Sequence, residues 1–568
     1  MRRRNTLGVL LGLLSAAAAG RAAAQVPPTP GEESGYVRYS QNADIACFLS
    51  MLAASSREIR VRAVGRTKDV PGYPAQDIYL TVISENGAGR AAELDRAKPT
   101  ILLTAAQHGN EQSAKEACLR LLRDFAAGGL KPLLKKVNVL IMPQTNPYGN
   151  QFDVRTNEIE LDMNRDHVKV EAEGVAAIHR VFREFRPEVT IDVHEKGDDY
   201  YRVSIGCVSN ANIDARLQDF SRRVLLAEVE AALKMKAIAF HEYLVSEEMG
   251  LNTSAGAALR PEDLAGREEM KRYSTTDLND GRNSLGIFET LSFIQEGASR
   301  HDIPTLGERT DRQYWGLRGL CEAAAGHAAD VLTLVNGLRL ELLTKAAVYD
   351  ESKLVHLRMA YVRDPKNPTL TIRQFEEVPQ SQPRILGTLK ADRKAGEPVR
   401  SSDLVPPPSA RAPKVETIVV KNGFPGVEPR LSVSRPLGYV IPSAHADVVE
   451  NLLRLGIAVG VFNRDRVLDV EGYTVGAISP SKYDYLAPEV LDVSKTALRL
   501  AARRGDFYVS CAQPAANLVP CLLEPQSEFG LIRYWAYKLV PAAGDVWAFY
   551  RLTKAQDLPL VPYKDWSN

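Results

Sequence analysis

His108 and Glu111 stand three residues apart in Thr104-Ala-Ala-Gln-His-Gly-Asn-Glu111, where an apolar run gives way to polar residues. An imidazole nitrogen and a carboxylate oxygen at this spacing can grip one zinc ion, because both are good zinc donors. A catalytic site needs a third protein donor and an open position for water. His194 is the best candidate: Val189-Thr-Ile-Asp-Val-His194 reads as a strand ending on histidine, and Glu195-Lys-Gly197 then turns the chain. Between these donors lie Asn146-Pro-Tyr-Gly149 and Arg155-Thr-Asn-Glu-Ile-Glu-Leu-Asp-Met-Asn-Arg165. Two arginines and an asparagine this near to metal donors suit a substrate bearing a carboxylate, which a guanidinium forks through two parallel hydrogen bonds.

Each residue alone has an ordinary explanation. A histidine at a strand end is more often a hydrogen-bonding residue than a ligand, Glu111 could serve the helix macrodipole, and Arg155 and Arg165 could pair with Asp153, Glu158 or Glu160 on the surface. The joint order of donors, arginines and acids is what favours a metal site. His167, His179, His241 and His301 lack such company and are assigned to structure.

These residues need a scaffold. From Ile78 to about Gly337, short apolar β-branched runs alternate with amphipathic ones, which predicts an α/β domain with a mixed central sheet flanked by helices. Strands are expected at Ile78–Ile83, Thr100–Ala105, Val137–Met142, Val189–Val193 and Leu285–Thr290. Helices are expected at Gln112–Phe125, ended by Gly128-Gly129, at Val175–Phe185, stopped before Pro187, and as one long element over Ala323–Thr344. His108, Glu111 and His194 then fall at the carboxyl edge of the sheet, where open α/β sheets bind ligands. Beyond Ala346 the runs become Val- and Thr-rich and proline-broken, with Val405-Pro-Pro-Pro408 marking an extended stretch before a smaller α+β or β-rich unit.

At 568 residues, with 45% hydrophobic and 25% charged, the chain is too long for one ordinary domain. Met1-Arg-Arg-Arg4, the apolar stretch Leu7 to Ala19 and Ala22-Ala-Ala24 have the order of a secretory signal peptide, by a general or a twin-arginine route. Its removal takes away four arginines and no acid from a net charge of +1, leaving no polybasic surface, which argues against nucleic acid as a partner. The six cysteines show no C-x-x-C spacing; Cys511 and Cys521 are the nearest pair, and buried free thiols are equally compatible.

The motifs H-x-x-E, N-P-x-G, R…D-x-N-R and the late His194, in this order, resemble the zinc metallocarboxypeptidases of the carboxypeptidase A type, in a bacterial secreted form. The resemblance covers roughly residues 40 to 340. It implies one zinc ion held by His108, Glu111 and His194, Arg155 polarising the scissile carbonyl, and Asn164 with Arg165 clamping the C-terminal carboxylate of a peptide. It further implies that Asp162 orients the first histidine and that a late glutamate is the general base. Glu289 is preferred for the base and Glu296 held in reserve; seven residues apart on one unbroken strand they would point to opposite faces, so one of them faces the metal. Tyr273 is the candidate for the family's substrate-capping tyrosine. The expected organisation is a signal peptide over 1–24, a leader over 25–36, the catalytic domain over 37–345, an extended region over 346–413 and an accessory domain over 414–568. The product would be periplasmic or extracellular, without stable membrane insertion after cleavage. A related amide deacylase acting on N-acyl amino acids, or a non-catalytic peptide binder on the same fold, is the alternative.

Overall fold

The computed structural model describes residues 26–247, 270–273, 275–298, 302–376, 388–389, 404–405, 414–479 and 487–564. The proposed signal peptide and His301 lie outside them. An eight-stranded mixed sheet forms the centre of the first body, with strands β1 (Ile59–Arg66), β2 (Asp77–Ile83), β3 (Thr100–Ala105), β4 (Asn138–Met142), β5 (Val189–Lys196), β6 (Val203–Cys207), β7 (Phe240–Glu242) and β8 (Leu291–Ala298) in the order β1-β2-β4-β3-β5-β8-β6-β7. The middle strands β4, β3, β5 and β8 run parallel, and nearly every residue of all four is buried. Cover on both faces is why these segments read as continuous apolar runs rather than as alternating ones.

Helices α1 (Gln112–Ala127), α2 (Glu173–Phe185), α3 (Gly281–Gly286), α4 (Leu306–Gly326) and α5 (Ala328–Ala346) flank the sheet. Helix α1 ends on Gly128 at φ 96°, and α2 ends on Arg186 in the left-handed region just before Pro187. Two expectations need correction. The single helix over Ala323–Thr344 is instead the end of α4 and most of α5, divided at His327, whose ψ of 27° is not helical. The strand over Leu285–Thr290 is instead the end of α3 and a turn, and the strand itself starts at Leu291.

Within 346–413, Leu354–Val362 is a strand paired antiparallel with Gly426–Ser434, and its Val355, Leu357 and Met359 are buried. The C-terminal body is built on a seven-stranded sheet that includes Arg466–Val475, Gly438–Ile441 and Phe507–Ser510. One hydrophobic core runs from Phe48 and Leu102 through to Val448 and Phe549, so the two bodies are packed together. Asn451 of the helix Ala446–Arg454 donates to the carbonyls of Val168 (3.0 Å) and Lys169 (2.8 Å). Asn279 donates to the Tyr534 hydroxyl (2.6 Å), and the Thr276 amide to the Tyr361 hydroxyl (3.3 Å). The C-terminal body and the strand Leu354–Val362 thus brace the segment 275–283, which lines the site described next. All six cysteines are free, and all but Cys47 are buried. Among the described residues no helix is long and apolar enough to cross a membrane.

Candidate active site

The loop after β3 carries His108 and Glu111, and a neighbouring turn shapes it. Asn146 accepts from the Gly149 amide (2.9 Å) and donates to the Gln107 carbonyl (3.0 Å), while Asn150 donates to the Gly109 carbonyl (3.0 Å). The two loops touch so closely that a Cβ on Gly109 would lie 1.9 Å from the Gly149 carbonyl carbon. Glycine between the two donors is therefore a packing requirement. Glu111 occupies the N-cap of α1 without capping it; its carboxylate turns to the histidines instead.

His108, Glu111 and His194 converge, with one donor atom from each inside a sphere where all lie within 4.8 Å of one another. His108 Nδ1 is 2.7 Å from Glu111 Oε1, His194 Nδ1 is 2.8 Å from Glu111 Oε2, and the two Nδ1 atoms are 3.1 Å apart. The far nitrogens are engaged as well: His108 Nε2 meets Asp162 Oδ1 at 3.0 Å and His194 Nε2 meets Asp192 Oδ2 at 2.8 Å. With a proton on each far nitrogen, two lone pairs and a carboxylate face one another. Three acceptors with no donor between them require a cation, and this donor set suits zinc. Although burial opposes it, Asp192 and Glu111 push the His194 pKa well up.

Asp192 is a residue that sequence reasoning passed over. In Asp192-Val-His194 the two side chains share one face of β5, since alternate residues of a strand do, so the spacing carried the signal. Asp192 also accepts from Gln107 Nε2 (2.8 Å) and Thr104 Oγ1 (3.2 Å), which fixes its own orientation. Replacing Asp192 by asparagine is expected to weaken zinc binding by about 10- to 100-fold with the fold retained. Zinc titration against a competing chelator, alongside circular dichroism, measures both. Glu195 is equally structural: it accepts from the Ser113 amide at the start of α1 (3.0 Å) and from Arg309 Nη1 (2.6 Å) in a buried pair, tying the end of β5 to α1 and α4.

A cavity of about 410 Å³ opens on the donors and is lined by His108, Glu111, Arg155, Asn164, Arg165 and Glu296, among others. Arg155 is held by Asp162, Nε to Oδ2 at 2.9 Å, and its Nη1 lies 3.6 Å from Glu111. Against the burial of that carboxyl, His108 and Arg155 keep Asp162 well below the usual carboxylate range. Asn164 accepts from the Gly281 amide (2.8 Å), and Arg165 is exposed at the wall.

The two glutamates separate completely. Parallel pairing sets Glu296 of β8 beside His194 of β5, at the carboxyl edge of the sheet. It is buried, its Oε2 has no hydrogen-bond partner among the described residues, and burial, reinforced by Glu111, raises its pKa. Glu289, the preferred candidate, stands at φ 53° in the turn before β8, at the opposite end of that strand. It lines a different cavity, between the two bodies, where it accepts from the Asn517 side chain (3.0 Å) and the Asp214 amide (3.1 Å). The preference assumed a strand ending at 290, and the chain begins its strand there.

Burial, with the Asp214 carboxylate alongside, pushes the Glu289 pKa from 4.5 up to about 7. A raised folded-state pKa favours the fold fully below the unfolded value, and that contribution is lost as pH rises through 7. Between pH 5 and 8 the urea stability of the wild type is expected to fall more steeply than that of Glu289→Gln, by up to about 3 kcal/mol. Parallel pH profiles would remove the assignment.

Tyr273 does not line the donor cavity. It stacks on His241 at 6.1 Å and faces Arg222, while Tyr243 occupies the cavity wall. His167 and His179 form a buried pair 3.1 Å apart, and His167 also meets Gln107 (2.9 Å), a packing role.

Residues 52–194 match the family model described as zinc carboxypeptidase, a span that ends on the third donor and contains the other two with Arg155, Asp162, Asn164 and Arg165. In this stretch the chain is similar to the zinc carboxypeptidases. Carboxypeptidase 2 of Trichophyton rubrum is 23% identical over 530 residues, covering 89% of this chain and 85% of its own. A zinc carboxypeptidase of Saccharothrix mutabilis subsp. capreolus is 26% identical over 129 residues, 22% of this chain and 27% of its own. Among solved structures, carboxypeptidase A of Helicoverpa armigera is similar at 13% identity and a TM-score of 0.38, covering 52% of this chain and 75% of its own. The match to the fungal relative covers far more of the chain than residues 52–194 and reaches into the C-terminal body.

Proposed function

We propose that this chain is an exported metallocarboxypeptidase that hydrolyses the C-terminal peptide bond of a peptide with a free carboxylate, with Glu296 as general base. The observation that carries the reading is a cavity that opens on His108 and Glu111 of the converged donor set, with the buried Glu296 carboxylate and its unengaged oxygen beside them and Arg155 and Arg165 among the residues of its wall. Zinc held by His108, Glu111 and His194 supplies Lewis-acid activation of water and carbonyl. Glu296 takes the water proton and returns it to the leaving amine, a transfer that its raised pKa suits. Arg155 hydrogen-bonds the carbonyl oxygen as charge develops there, steadied by Asp162. Asn164 and Arg165 hold the terminal carboxylate, which fixes where the chain is cut. The arginine-rich start and the Ala22-Ala-Ala24 segment support export to a periplasm or beyond.

Incubating the zinc-loaded protein with C-terminally free peptides, their amides and N-acyl amino acids tests the reading. Release of the last residue from free peptides alone is expected. Cleavage confined to the acyl group of N-acyl amino acids would make it a deacylase, and binding without turnover on any substrate would make it a peptide-binding protein.

A further inference from the structure

Arg282 is a buried cation that none of these steps uses. It sits on α3, is 1% exposed, and lines the same cavity as His108, Arg165 and Glu296. Its Nη2 lies 3.1 Å from Asp280 Oδ2, while Nε and Nη1 are buried with no hydrogen-bond partner among the described residues. A buried donor without an acceptor is costly, and one on a charged group more so. The protein nonetheless keeps room for it: a Cβ on Gly206 of β6 would lie 2.9 Å from Nη1. Nor are the neighbouring acids idle. Asp280 caps α3 by accepting from the Asn283 amide (2.6 Å), and Asp277 accepts from the Asn279 amide (2.8 Å).

We propose that Arg282 receives the side-chain carboxylate of an acidic C-terminal residue, so that the substrates are peptides ending in glutamate or aspartate. This rests on the carboxypeptidase reading, in which Asn164 and Arg165 already serve the main-chain carboxylate. An apolar side chain set against Arg282 would bury its two donors unpaired, and a basic one would meet a like charge. A carboxylate supplies acceptors to both donors of a guanidinium that Asp280 meets at only one nitrogen.

The test uses the zinc-loaded full chain and a matched series of N-acyl dipeptides ending in Glu, Gln, Leu and Lys. Glutamate is expected to exceed glutamine in kcat/KM by about 10- to 100-fold. In Arg282→Gln that ratio is expected to collapse towards one, and in Arg282→Lys to be partly kept, because lysine preserves the charge without the planar fork. Equal cleavage of the Glu and Gln substrates by the wild type would overturn the proposal. So would an equal fall on all four substrates in Arg282→Gln, which would put the guanidinium on the main-chain carboxylate. Calorimetric binding of free L-glutamate and L-glutamine separates this from the activity. Glutamate binding that depends on Arg282 without any peptide turnover would sink the carboxypeptidase reading and keep the acid pocket; equal binding of the two would sink the pocket whatever the turnover.

Discussion

Glu296→Gln is expected to lower kcat by about 10²- to 10⁴-fold, the usual share of a general base, while bound zinc stays at one per chain. Glu289→Gln is expected to leave kcat close to the wild type. The contrast follows from strand register: Glu296 pairs with His194 across β8 and β5, whereas Glu289 lies before β8 and is bound to Asn517 of the C-terminal body. Steady-state kinetics with metal analysis on both variants decides the matter. Loss of turnover in Glu289→Gln with its zinc intact would refute the assignment, as would an active Glu296→Gln. The amide keeps the size of the carboxylate, so packing around β8 is retained and the loss reports on the proton transfer.

His194→Ala should have an effect of similar or greater size by another route. Two donors in place of three cannot hold the ion in a defined geometry, so zinc affinity is expected to fall by more than the roughly 100-fold attached to an outer hydrogen-bond partner, and turnover with it. In the wild type, a chelator should abolish activity and added zinc restore it; in His194→Ala, added zinc should not. Zinc uptake should also weaken as pH falls, because Asp192 and Glu111 hold a proton on His194 when the ion is absent, and that proton must leave before Nδ1 can bind metal. Zinc affinity independent of pH across the neutral range would contradict this competition between proton and metal.

Much of the donor cluster was legible in the linear order because each piece is local. His108 and Glu111 share one loop, Asp162, Asn164 and Arg165 share one turn, and His194 ends a strand recognisable from its apolar run. Asp192 was equally legible, two residues from His194 on the same face of a strand, and went unread. Glu289 and Glu296 were a different matter. The apolar residues 285–294 permit a strand at either end, and local pattern cannot tell a buried helix end from a buried strand when both are apolar throughout.

By itself, then, the sequence determined the chemistry on offer: two histidines and a glutamate to hold a metal, arginines for a carboxylate, and an α/β scaffold to set them at a sheet edge. The tertiary structure decided which groups share the cavity. It brought Glu296, Tyr243 and Arg282 in, left Glu289 and Tyr273 out, and used Tyr534 of the C-terminal body and Tyr361 of the strand Leu354–Val362 to brace the wall at 275–283. The physical reason is that metal donors announce themselves by residue type and spacing, whereas a wall residue is chosen by strand pairing and long-range packing, which depend on partners up to hundreds of residues away.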